Sequence, residues 1–357
     1  MPAIAVALLL ATPAFFGPAV QGPVPRKAHE GFHAARVALG RALFAEPLLS
    51  RDSTLSCATC HDPRHAFAEP RAVSAGIGVD ARRRNAPSLV NATVFRTTFD
   101  WDGRATSLAH QLSFVFSEAG DMGITAPEAA ARLRARTDYR RHFRAAYGRM
   151  PQAKDLLDAL TTFESTLVTT GSRFERFYLG AEPLLSDSEH RGWRLFRSNR
   201  TGCSGCHLPL PDPMGSGIIA FHDGRFHNIG VGYADSIMLD AGRYEVTGNR
   251  RDWGAFRTPS LWNIGVTAPY MHDGSLPTLA AVIKFYSNGG VANPNLDPVV
   301  RPIDLSVSEM EDLEAFLMTL TNDWQSLWPT PARDSAIGTH IAHPHALGLH
   351  FFPRRFR

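Results

Sequence analysis

The sequence predicts a mainly α-helical protein made of two similar domains. Three observations carry that expectation. First, all four cysteines fall in two copies of one pattern, C-x-x-C-H: Cys57-Ala58-Thr59-Cys60-His61 and Cys203-Ser204-Gly205-Cys206-His207. Second, a G-x-x-L-F segment stands before each copy, Gly40-Arg41-Ala42-Leu43-Phe44 and Gly192-Trp193-Arg194-Leu195-Phe196. Third, helix-start signals recur along the chain while strand signals are few. A chain of 357 residues is also too long for one minimal domain of about 100 residues and suits two.

The elements are taken in chain order. The apolar run Ala3–Ala11 is shorter than the roughly 20 residues a bilayer span needs, and Pro13 and Pro18 interrupt the stretch after it. It suits a secretory signal over residues 1–22, although no Lys or Arg precedes it. The Gly40–Phe44 segment lies in a helical pattern that delivers the chain to the first cysteine motif. Thr125-Ala126-Pro127-Glu128 is a capping box, opening a helix to about Tyr147. Met150-Pro151 opens another to about Thr170, with Leu156, Leu160, Phe163 and Leu167 as apolar positions. A domain boundary is expected near Gly171–Ser186. It separates an N-terminal domain, 23–175, from a C-terminal domain, 176–325. Ser186 with Glu189 caps the helix before the second motif. Pro277 opens a helix stopped by Gly289-Gly290. Ser306 with Glu309 caps the last clear helix. The tail, 326–357, is rich in Pro and His. A loosely packed tail is preferred there over a metal site at His340, His343, His345 and His350.

C-x-x-C-H reads as c-type haem attachment. Two thiols at this spacing reach the two vinyl groups of one porphyrin, and the following His falls under the iron as proximal ligand. Zinc would need the two motifs to share one ion or a second ligand pair beside each. A disulfide framework would be sparse for a chain of this size. Cys57, Cys60 and His61 are therefore expected to hold one covalent haem, and Cys203, Cys206 and His207 a second. Short helices joined by Pro- and Gly-rich loops complete the expectation of two cytochrome c-like domains, each wrapped on its haem.

Composition excludes other classes. Apolar residues make up 44 % and charged residues 20 %, which argues against wholesale disorder. The net charge of +3 comes with no basic stripe interleaved with aromatics, so nucleic acid is not an expected partner. No segment after the N-terminus is apolar for long enough to span a membrane.

Beyond these readings, the chain resembles the bacterial dihaem cytochrome c peroxidase and MauG family. The resemblance runs from about residue 30 to 325. It rests on CATCHDP at 57–63, RNAPSLVNA at 84–92, WDGRATSLAHQ at 101–111, FHNIGV at 226–231 and FRTPSLWNIGVTAPYMHDG at 256–274. It implies two cytochrome c-like domains with a calcium ion between them. The N-terminal haem would meet peroxide, and the C-terminal haem would receive electrons from a donor. A periplasmic location and a homodimer are further implications.

The resemblance assigns roles residue by residue. The family's blocking distal His would fall near Gly78, and no His lies between His65 and Trp101. The first haem is therefore expected to be five-coordinate and open. The family's acid–base Glu lies ten residues after a Gln. Here Gln111 plus ten is Asp121, with Glu118 as the rival carboxylate. Trp101 takes the place of an indole between the haems that relays electrons. The family's Met ligand to the second iron is replaced by Tyr286, with Met271 as rival. Calcium ligands would be the Asn85 side chain and the carbonyls of Thr267 and Pro269. One departure is Trp262, where the family often carries an Arg in contact with a haem propionate.

Three functions are compatible with these assignments. The first is a peroxidase reducing hydrogen peroxide with electrons from a small c-type cytochrome or copper protein. The second is a MauG-like enzyme that uses both haems to oxidise residues of a partner protein. The third is a non-catalytic dihaem electron shuttle. An open first haem with Gln111 and Asp121 argues against the shuttle, Tyr286 leans toward the second reading, and family breadth places the peroxidase first.

Overall fold

The computed structural model describes residues 30–74, 76–77, 84–94, 96–118, 120–181, 185–211 and 218–329. The expected secretory signal, Gly78 and the four tail histidines lie outside the described residues. The chain is mainly helical: α1 (Glu30–Phe44), α2 (Cys57–Cys60), α3 (Leu108–Ser117), α4 (Ala126–Ala135), α5 (Thr137–Tyr147), α6 (Ala153–Glu164), α7 (Arg173–Tyr178), α8 (Asp187–Phe196), α9 (Cys203–Cys206), α10 (Tyr244–Thr247), α11 (Leu279–Ser287) and α12 (Val307–Met318). Two short antiparallel ladders interrupt the helices. One pairs β1 (Phe226–His227) with β4 (Phe256–Arg257), and the other pairs β2 (Tyr233–Ala234) with β3 (Ile237–Met238). Among the described residues no helix is long and apolar enough to cross a membrane.

Two hydrophobic cores organise the chain. The first gathers Leu39, Leu43, Phe44, Leu112, Phe116, Phe143, Leu156 and Phe163 from α1, α3, α5 and α6. The second gathers Phe174, Trp193, Phe196, Ile283, Leu313 and Phe316 from α7, α8, α11 and α12. The G-x-x-L-F repeat has a physical reason in each. Gly40 of α1 lies against the Ala159 carbonyl and Phe163 of α6, where a Cβ would collide with the backbone. Gly192 of α8 lies against the Asp312 carbonyl and Phe316 of α12 in the same way. Each glycine lets two helices approach closely, and the Leu and Phe that come after it fill the core beside the contact.

The capping boxes at Thr125, Ser186 and Ser306 are all formed, but two expected helices are shorter than their patterns. The run from Thr125 to Tyr147 breaks at Arg136, which is extended and serves as C-cap of α4 and N-cap of α5. The run opened by Met150-Pro151 starts at Ala153 and ends at Glu164 rather than near Thr170. Thr166 and Leu167 turn back there through bonds to the Phe163 and Glu164 carbonyls. The helix after Pro277 is capped by the Thr278 hydroxyl and spans Leu279–Ser287.

After α12 the chain returns to the first core. Trp324 is buried in it. Trp328 sits among Phe44, Phe67 and Phe163, with ring centroids 5.9–6.0 Å away. Arg41 stacks over the Trp328 indole at 4.4 Å and donates to the Pro329 carbonyl at 2.8 Å.

Candidate haem sites

The two cysteine motifs adopt one local structure. In each, the cysteines bound a four-residue helix, and the next residue, His, is its C-cap, with its backbone N–H donating to the first cysteine's carbonyl at 2.9 Å. His61 Nδ1 lies 3.1 Å from the carbonyls of Phe67 and Pro87. His207 Nδ1 lies 3.1 Å from the Phe221 carbonyl. Each bond fixes the tautomer and leaves Nε2 as the ligating atom. Burial lowers the pKa of both imidazoles, opposed by those carbonyls, so both are held neutral, as metal ligands must be.

Each His lines a cavity. The first is also lined by Cys57, Cys60, Gln111, Glu118, Asp121 and Glu164. The second is lined by Cys203, Cys206, Met271, Tyr286, Trp262 and Val282. Trp101, Asn85, Arg96 and Arg257 line both. Trp101 thus stands in the wall between the cavities, its Nε1 donating to the Asn85 carbonyl at 2.8 Å. In the same wall Arg96 and Arg257 each keep a shielded Nε without a partner among the described residues. Burial lowers them to about 10 and about 9. Guanidinium stays charged in proteins. The Asp100 and Asp102 charges act on Arg257, whereas burial alone acts on Arg96, so the wall would accept an anionic group such as a haem carboxylate. The paired thiols, the neutral imidazoles and the buried Arg96 all fit haem.

The other expected residues fall into place around these cavities. Asp121 and Glu118 share the first cavity with Gln111. Arg104 reaches Glu118 at 3.4 Å, and the Asp121 charge is felt at the Cys60 thiol, which burial pushes up to about 11. His65 does not line the first cavity; it turns to Asp62, 3.4 Å away. Tyr286 and Met271 both line the second cavity, and burial raises the Tyr286 phenol. Asn85 Nδ2 donates to the carbonyls of Glu69 (3.2 Å) and Arg71 (2.8 Å), which leaves Oδ1 as the side chain's acceptor atom. Thr267 and Pro269 line the second cavity with it. Asp102 is fully buried between Arg84 (2.7 Å) and Arg104 (2.5 Å). Arg84 also reaches Asp240 at 2.7 Å, so this cluster ties the two halves of the chain.

Sequence reasoning missed three features. The charged wall of Arg96 and Arg257 carries no local motif. His227, inside FHNIGV, bonds Asp223 (2.9 Å) and Asp297 (2.6 Å). Asp223, then the Cys206 thiol and Asp297, push His227 up to about 11. Asp100, next to Trp101, accepts from Gln111 Nε2 at 2.7 Å; the signal available was a third carboxylate beside WDGR.

This geometry defines a c-type haem protein with two attachment sites whose cavities share one wall. Residues 34–183 match the family model described as di-haem cytochrome c peroxidase. The chain is 36 % identical over 290 residues to methylamine utilization protein MauG of Methylorubrum extorquens, covering 80 % of this chain and 78 % of that one. It is 32 % identical over 304 residues to the cytochrome c peroxidase Ccp of Escherichia coli, covering 84 % of this chain and 60 % of that one. A crystal structure described as a MauG-like protein associated with microbial copper homeostasis superimposes with TM-score 0.73 at 32 % identity, covering 90 % of this chain and 98 % of that one. The chain belongs to the di-haem cytochrome c peroxidase family, which includes MauG. These are oxidoreductases that carry two haems.

Proposed function

We propose that this protein reduces hydrogen peroxide to water at the His61 haem, with electrons delivered through the His207 haem. One observation carries the reading: His61 is the sole histidine lining the first cavity among the described residues, and it shares that cavity with Gln111, Glu118 and Asp121. A haem held there by Cys57, Cys60 and His61 would supply the iron that binds peroxide. Asp121 takes the proton from one peroxide oxygen and returns it to the other, which leaves as water. Gln111 orients the bound molecule. Two further protons and two electrons complete the second water. The electrons come from a small periplasmic c-type cytochrome or copper protein, and Trp101 relays them across the shared wall. The two cores support two cytochrome c-like domains, 23–175 and 176–325, with Phe174 packed into the second core and Trp324 into the first. Asn85 Oδ1 with the Thr267 and Pro269 carbonyls offers the hard oxygen set that calcium takes.

Tyr286 supports a second reading. A Tyr286 phenolate would favour the oxidised states of a haem iron held by His207, which suits an enzyme that withdraws electrons from residues of a partner protein. Peroxide consumption by the holoenzyme, measured with and without a reduced donor, separates the two. The peroxidase reading expects sustained turnover only with reduced small cytochrome or copper protein. Slow turnover with every donor, together with peroxide-dependent oxidation of a partner protein, selects the second reading. No peroxide consumption in either assay refutes both.

A further inference from the structure

The first cavity contains a carboxylate that the proposed reaction does not use. Asp100 lines it together with Gln111, Glu118 and Asp121. Asp100 Oδ1 accepts from Gln111 Nε2 at 2.7 Å, and Oδ2 is shielded without a partner among the described residues. The backbone holds the side chain in place. Asp100 has φ +66, the neighbouring Phe99 bridges to Ala105, and the Asp100 carbonyl accepts from Arg257 Nη2 at 2.8 Å.

Gln111 Nε2 is turned toward Asp100 Oδ1, which accepts from it at 2.7 Å. Burial raises the Asp100 pKa, Asp102 adding to the rise and Gln111, Arg104 and Arg257 opposing it. The amide atom left for another partner in the cavity is Oε1, an acceptor.

Building on the peroxidatic reading of the first haem, we propose that Asp100 is a positioning residue that locks Gln111 with its carbonyl toward the peroxide site. A hydroxyl of bound peroxide donates to that carbonyl. The proton that Asp121 moves is then kept distinct from the one that Gln111 holds. Nothing in C-x-x-C-H or in the Gln111/Asp121 spacing specifies this third carboxylate.

Fluoride tests the arrangement because it binds ferric haem and only accepts hydrogen bonds. Asp100→Gly removes the carboxylate and suits the positive φ. It frees the amide to turn its NH₂ to the ligand. Titration of the ferric holoenzyme, read at the high-spin absorption bands of the first haem, should show fluoride binding about tenfold tighter in Asp100→Gly than in wild type. Loss of a negative charge also favours an anion, so the gain is measured again in a Gln111→Leu background, where most of it should disappear. An unchanged affinity, or a gain of equal size without Gln111, overturns the proposal. If Asp100→Gly does not fold, Gln111→Leu alone decides. Removing a carbonyl leaves fluoride binding unweakened, whereas clear weakening shows that an N–H faced the ligand and overturns the proposal. A wild-type first haem that binds neither fluoride nor cyanide refutes the open-haem reading as well. Fluoride binding that ignores Asp100 refutes only the positioning role.

Discussion

Replacing Glu164 by glutamine keeps the shape of a buried side chain and removes its charge. Glu164 ends α6, lines the first haem cavity and is 6 % exposed. Burial raises its pKa from 4.5 to about 8. Between those values the folded protein binds more protons at this site than the unfolded chain, so stability falls as pH rises. The contribution is fully present below pH 4.5 and is lost as pH passes through 8. Each pH unit crossed between the two values weakens the fold by about 1.4 kcal/mol. Integrated from pH 5 to pH 7.5, this gives a loss of about 3 kcal/mol in the wild type that Glu164→Gln does not suffer. Urea unfolding of both holoproteins at the two pH values, monitored by far-UV circular dichroism, measures the difference directly. The variant should be the more stable at pH 7.5 and nearly matched at pH 5. Parallel pH dependences within about 0.5 kcal/mol, well inside the expected change, would refute the assignment of a protonated Glu164 in the first cavity.

Three further outcomes are expected. Asp121→Asn should slow peroxide consumption by roughly 10²–10⁴-fold with both haems attached, and Glu118→Gln by only a few-fold; the reverse order moves proton transfer to Glu118. Tyr286→Phe should change the ferric absorption spectrum of the second haem without releasing it; an unchanged spectrum makes Met271 the ligand to replace next. Gly192→Ala should lower the unfolding temperature, because the new Cβ collides with the Asp312 carbonyl. Overpacking of this kind costs about 1–3 kcal/mol against a gain in helix propensity of about 1 kcal/mol, whereas Gly205→Ala, in open space, should change little.

Local chemistry was legible in the sequence and distant chemistry was not. The cysteine motifs and the caps at Thr125, Ser186 and Ser306 depend on residues within four positions of each other, and all adopt their expected local geometry. The glycine of each G-x-x-L-F segment was visible as a repeat, but its purpose was not, since the carbonyls it accommodates at Ala159 and Asp312 lie about 120 positions away. Arg136 ends a helix although its neighbours continue the pattern; the next helix starts at Thr137, and its Tyr139 phenol donates to Glu46 at 2.7 Å, a partner 93 positions away. Arg96 and Arg257 gain meaning only when two cavities share a wall. The role of Asp100 is illegible in the sequence because it is set by Gln111, eleven positions further on.

The return of the chain from α12 to the first core bears on how the protein is made. Trp328 completes the aromatic packing around Phe44, Phe67 and Phe163, and Phe67 supplies a carbonyl that orients His61. The N-terminal half therefore leaves the ribosome lacking a piece of its own interior. It acquires that piece only after the second half has been synthesised. A fragment ending near residue 180 lacks that plug, and a nick between α12 and Trp324 cuts the covalent link that carries it back to the first core.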